Sequence, residues 1–173
     1  MLRCREMIEG EDPEAGVETC MALAEQGDAA AQYDIGLLFV SGENMLIDYK
    51  AAKDWFSKAA EQGLPDAIAS LGGIYYHGIG VEQDVAEGIR LFEIAAERGS
   101  TRAQLALGLA YYNGRGVTQD QKKGEALIRG AAATGLEDAQ DTVRRLFGQH
   151  RDELLGPGDL PSDRNQATPR EST

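Results

Sequence analysis

Residues that do chemistry are scarce in this chain of 173 amino acids: it has two cysteines and two histidines. Cys4 and Cys20 show no paired spacing, so neither a disulfide framework nor a zinc site is expected. His77 closes an amphipathic stretch and His150 lies far beyond it. A lone histidine in such a place is more often a surface residue than a catalyst. No Gly-x-Ser-x-Gly, His-Glu-x-x-His or P-loop spacing occurs. Gly78-Ile79-Gly80 lacks the third glycine and the preceding strand of a dinucleotide fingerprint, and reads as a turn. The acidic run Glu9-Gly10-Glu11-Asp12 lacks the alternating ligands of a calcium loop. No catalytic residue, cofactor or metal is therefore expected, and the chain does not read as an enzyme.

Basic charge and apolar length are also short. Lys plus Arg is 17 against 29 for Asp plus Glu, a formal charge of −12. That balance argues against binding a phosphate backbone, which draws on clustered cations, so nucleic acid is not an expected partner. The acidity is uneven: residues 1–27 carry two basic and seven acidic side chains, and residues 100–135 five basic and two acidic. No apolar run is long enough to span a bilayer, and the segment from Met1 to Glu9 has no apolar core suited to a signal peptide. The expectation is a cytoplasmic chain with no membrane partner.

What the chain has is a period. Gly27, Gly63, Gly99 and Gly135 stand 36 residues apart, as do Asp12, Asp48, Asp84 and Asp120. Ala31, Ala67, Ala103 and Ala139 obey the same step, and so does the series Phe39, Tyr75, Tyr111 and Phe147. Cys20 falls in register with Phe56, Phe92 and Ile128, which makes it most simply a small buried hydrophobe. A period of this length means stacked supersecondary units, each unable to bury its apolar face alone.

Inside each unit the spacing is helical. Ala67, Leu71 and Tyr75 recur every four residues, and Leu91, Phe92, Ala95 and Ala96 form a second apolar stripe. Gly78-Ile79-Gly80-Val81 breaks the two apart, as Gly114-Arg115-Gly116-Val117 does one unit later. The first unit has Gly42-Glu43-Asn44-Met45 there, with Asn tolerating the left-handed conformation. Each periodic Asp stands where a second helix should begin and can cap it; Asp84 with Glu87 makes an Asp version of the capping box. The periodic glycines stand at helix stops. Gly36, Gly72 and Gly108 interrupt apolar helices at one register, which implies close helix approach.

The expected architecture is all-α, a superhelix of stacked antiparallel helix pairs. An N-terminal extension covers 1–11. A half-unit at 12–27, full units at 28–63, 64–99 and 100–135, and a half-unit at 136–147 make the solenoid. Seven or eight helices are expected between about residues 12 and 155. The polar segment 148–173, with Gly156-Pro157-Gly158, Pro161 and Pro169, reads as a mostly disordered tail.

The unit Ala67…Leu71-Gly72…Tyr75…Gly78-Ile79-Gly80-Val81…Asp84…Leu91-Phe92…Ala95-Ala96…Gly99 resembles the Sel-1-like repeat. The third unit repeats it through Leu107-Gly108, Tyr111, Gly114 to Val117, Asp120, Ala131-Ala132 and Gly135; the first departs in its turn. The resemblance covers about residues 12–147. It implies a superhelix related to tetratricopeptide repeats that serves as a scaffold or adaptor, holding a protein or peptide partner in its concave groove. A bacterial immunity protein or antitoxin that neutralises a toxin by binding is the alternative. Cysteine-rich secreted members described as β-lactamases carry a disulfide across each helical pair, which this chain is expected to lack. A hydrolase of that type is the distant alternative. A monomer is favoured.

By the same resemblance the first helices line the groove. Tyr33 and Leu37 of the first unit, and Tyr76 and His77 of the second, should face it. The third unit should contribute Arg102, Leu109, Tyr112 and Asn113, and the terminal helix Arg145. Tyr76 and Tyr112 are expected to point into the groove while their neighbours Tyr75 and Tyr111 pack inward. Aromatic and arginine residues gathered on one face are what binding hot spots use.

Overall fold

A computed structural model describes residues 4–10 and 12–148. The expected tail, the continuation of helix toward Leu155 and His150 lie outside the described residues. Among the described residues the chain is helical and carries no strand. Antiparallel pairs follow one another: α1 (Cys4–Ile8) with α2 (Pro13–Glu25), α3 (Ala29–Ser41) with α4 (Tyr49–Glu61), and α5 (Pro65–His77) with α6 (Val85–Glu97). Then come α7 (Thr101–Asn113) with α8 (Gln121–Ala133), and α9 (Glu137–Phe147), which lies against α8.

The expected caps set the boundaries. The side chains of Asp12, Asp84 and Asp120 accept hydrogen bonds from the amides of Ala15, Glu87 and Lys123 at 3.1, 2.9 and 3.0 Å. Asp48 accepts from two, Lys50 and Ala51, both at 3.0 Å. Asp28 and Ser100 cap α3 and α7 in the same way. The capping box at Asp84 forms only in half, because the Glu87 carboxylate turns to Arg90 and holds its guanidinium through two contacts of 2.7 Å. At the helix stops, Gly99 has φ +93°, where an L side chain is strained. Asn44, with φ +60°, supplies the left-handed residue that a glycine provides in the later turns.

The core is a row of bulky residues on the second helices facing small ones on the first. Phe56, Phe92 and Ile128 are buried. A Cβ at Gly72 would lie 2.7 Å from Phe92 Cδ1, so the ring occupies the space that the missing side chain leaves. Gly36 serves Phe56, and Gly108 serves Ile128, in the same manner.

One expectation is overturned. Cys4 and Cys20 are joined as a disulfide, with Cα atoms 5.4 Å apart, and both are buried. The period placed Cys20 correctly in the core but said nothing of α1, which lies before the first periodic position. That helix folds back on α2 and brings Cys4 onto Cys20.

Candidate functional site

The first helices stack on one another in a row. α1 packs on α3 and α5 on α7 directly, beyond the contacts each makes with its own pair. Tyr33 of α3 shows how close the row is. Burial raises the pKa of its phenol; Arg102 of α7 opposes this, Asp66 of α5 adds to it, and a hydrogen bond with Ser70 lowers it. Asp66 is fixed in turn by the Ser100 hydroxyl, which donates to Oδ1 at 2.7 Å. Side chains from three successive first helices therefore share one face.

That face carries a cavity of about 250 Å³. Its floor is apolar, formed by Leu37, Leu38 and Val40 of α3 with Ile8 of α1. Its rim is charged: Glu9 follows α1, Asp34 lies on α3, Glu43 follows it, and Arg102 reaches in from α7. An apolar floor with a few polar groups at the edge suits one buried side chain of a partner held in orientation by its backbone or charges.

Of the expected groove residues, Leu37 and Arg102 line this cavity, while Tyr33 lies outside its lining and packs against Phe56 with ring centroids 5.6 Å apart. The others do not join them. Tyr76 was expected to face the groove, but it is buried in the central core, tilted against Phe92 with ring centroids 5.6 Å apart. Its hydroxyl donates to the Arg115 carbonyl at 3.4 Å, and the Arg115 guanidinium lies 4.5 Å from the ring centroid. Gly88 stands opposite, and its missing Cβ lets the Tyr76 backbone lie close against α6. Tyr75, expected to pack inward, is only half-buried.

Tyr112 is half-buried and meets Phe147 of α9 edge-on at 5.6 Å. Tyr111 is also half-buried, with Lys123 Nζ 3.7 Å from its ring centroid. His77 is exposed beside the Tyr76 ring, and partial burial, reinforced by Arg115, lowers its pKa. Asn113 is exposed and donates to the Leu109 carbonyl at 2.9 Å, while Leu109 is half-buried. Arg145 lines a separate open cavity of about 270 Å³ with Asp138, Asp141 and Thr142 of α9.

Sequence reasoning missed Ile8, Glu9, Asp34 and Glu43. Asp34 stands three residues before Leu37 on the same helical face, so spacing alone could have found it. Ile8 and Glu9 carried no signal, since α1 lies outside the period. Among the described residues, no group of three or more His, Cys, Asp or Glu is placed to hold a metal ion. No helix among them is long and apolar enough to cross a membrane.

The Sel1 repeat matches the chain three times, over residues 29–64, 65–100 and 101–134. A Sel1 repeat protein from Oxalobacter formigenes is similar in structure, with TM-score 0.72 and 30% identity over 86% of this chain and 62% of that one. A protective antigen present in uropathogenic Escherichia coli strains, which displays the same fold, gives 0.70 and 32% over 85% of this chain and 32% of its own. The chain thus spans less than two thirds of either relative. Helicobacter pylori cysteine-rich protein B shares the fold at TM-score 0.58 and 20% identity, over 77% of this chain and 98% of that one. No curated protein matches the chain.

Proposed function

The chain belongs to the Sel1 repeat family, whose members generally serve as protein-interaction scaffolds, and from that premise we propose that it binds a peptide segment of another protein along its row of first helices. The observation that carries this reading is the cavity over α3, whose lining comes from three different helices and combines an apolar floor with a charged rim. An apolar side chain of the partner enters beside Leu37, while the flanking chain runs past Tyr33 toward Arg102. A toxin-neutralising role would be the same act of binding with a toxin as occupant. The Cys4–Cys20 bond favours an oxidising compartment over the cytoplasm expected from the lack of a signal-peptide core between Met1 and Glu9.

The test is a peptide selected by display on the folded protein and titrated against variants by calorimetry. Leu37→Asp and Arg102→Ala should each weaken binding by about tenfold or more, as losses at a binding hot spot do. Glu93→Ala, on the exposed face of α6, should bind as the parent. Unchanged affinity in both groove variants, with the peptide protecting α4 and α6 from hydrogen exchange instead, would overturn the reading.

A further inference from the structure

The Cys4–Cys20 bond occupies a place that the later pairs fill with bulk. Residues 9–12 join α1 to α2, whereas residues 78–84 join α5 to α6, and the shorter link slides α1 along its partner relative to the 36-residue period. A Cβ at Gly88 would lie 2.8 Å from Tyr76 Cα, and one at Gly124 would lie 2.8 Å from Tyr112 Cα. Gly16, at the same register on α2, gives that approach to Ile8, whose Cα would be 2.9 Å away. One turn before Tyr76, Tyr112 and Ile8 stand Gly72, Gly108 and Cys4. Gly72 receives the Phe92 ring and Gly108 receives Ile128, while Cys4 meets Cys20. The first pair is therefore held by a covalent bond at the point where the others are held by an apolar side chain.

The same helix is a wall of the cavity. Ile8 closes part of the floor and Glu9 part of the rim. α1 spans only Cys4–Ile8, too short to persist as a helix unless docked. Its buried apolar contacts are those of Cys4 and Ile8, with Met7 partly buried beside them.

We propose that the Cys4–Cys20 disulfide is a redox latch on the groove, holding α1 as a wall of the cavity when oxidised and releasing it when reduced. This rests on the reading of the cavity as the binding surface and adds its regulation. A dithiol donor opens the latch by thiol–disulfide exchange. It gives two electrons and two protons, the S–S bond becomes two thiols, and the donor leaves as a disulfide. Both protein sulfurs are buried, so attack must wait for α1 to fray. The latch therefore answers to a sustained reducing environment. Once open, two small thiols replace the cross-link, and no ring like that of Phe92 retains the helix. The cavity then loses Ile8 and Glu9 and opens along α3 to a longer segment.

Amide hydrogen exchange on the folded protein, with and without dithiothreitol and with free thiols counted, tests this. Reduction should speed exchange in residues 4–10 by about tenfold or more, as expected for release of a local unit, and raise it in 34–41, while 65–133 stay within about twofold. Cys4→Ser/Cys20→Ser should match the reduced parent. Cys4→Val/Cys20→Ile, which restores apolar bulk as at Ile128, should keep 4–10 protected with or without dithiothreitol. The latch is overturned if 4–10 remain protected after reduction, or if protection falls equally through all helices, which would make the bond a general brace. No partner enters these measurements. A failed latch thus leaves the groove variants to be judged on their own, and a failed groove leaves the release of α1 measurable.

Discussion

The first helix pair and the central pair solve one packing problem by different means. In α5–α6, Gly72 admits the Phe92 ring, Tyr76 lies over Gly88, and the cluster continues into α7 through Ala103, Leu107 and Ala110. In α1–α2, two cysteines take the place of glycine and ring, and the buried members of the cluster run as far as Leu38 of α3, with Phe39, Met45 and Trp55 partly buried against them. Apolar packing couples each unit to the next, so its loss spreads. A covalent bond at the edge of a stack constrains chiefly the element it ties down. In a nearest-neighbour solenoid the centre therefore governs global stability, and the first pair can change state locally.

The sharpest way to break this comparison is to remove the ring. Phe92→Ala leaves a cavity between Gly72 and the α7 cluster and should cost about 3–5 kcal/mol, read as a lower denaturant midpoint with α5 to α8 unfolding together. Reduction of the disulfide should leave that transition in place and change only the exchange of the first pair. Equal global losses from the two changes would show that the ends and the centre do not differ as described.

A smaller effect separates two adjacent glycines of α5. Gly72→Ala places a methyl 2.7 Å from Phe92 Cδ1 and 3.1 Å from the Gly88 carbonyl oxygen. It should destabilise by about 1–3 kcal/mol through overpacking. Gly73→Ala meets nothing within 4 Å and should stabilise by up to about 1 kcal/mol, the gain in helix propensity. Opposite signs at neighbouring positions, read from thermal or urea unfolding, are the outcome that the packing requires.

The same contrast explains what could be read without a structure. Helix limits and caps follow from local rules repeated along the chain, so Asp48, Asp84, Asp120 and the helix-stop glycines announced themselves, as did the close helix approach at Gly36, Gly72 and Gly108. Of the residues expected in a groove, Leu37 and Arg102 line the cavity over α3, and both stand on first helices whose faces the spacing sets out. Tyr76 was not legible, since it is buried against the Phe92 ring where α5 closes on Gly88, and helical spacing alone does not encode that packing. α1 escaped altogether. It stands outside the period and is fixed by a bond between cysteines on different helices. Local repetition exposes what is repeated and hides what occurs once.

The smallest expected effect concerns the turns. In the second and third units Gln83 and Gln119 lie over Gly78 and Gly114, and their side-chain amides donate to the Tyr76 and Tyr112 carbonyls at 2.8 and 2.9 Å. Ile47 takes the same place over Gly42 in the first unit, 55% exposed and with no donor to offer the corresponding carbonyl of Val40. The turn closes alike, since the Asp48 amide donates to the Phe39 carbonyl at 3.0 Å as the Asp84 amide does to Tyr75 at 2.9 Å, although the Glu43 amide donates to the Ser41 hydroxyl where the Ile79 amide donates to the Ile74 carbonyl. Ile47→Gln should therefore install the missing bond with no change of path. The gain should be about 0.5–1 kcal/mol, the net worth of one partly exposed hydrogen bond, since little buried apolar surface is given up. Gln83→Ala should lose a comparable amount. The check is the urea midpoint, with an unchanged slope showing that the turn has kept its form. A lower midpoint for Ile47→Gln would mean that Ile47 packs more productively over Gly42 than its exposure indicates, and that the first turn is a distinct structure rather than a weaker copy of the other two.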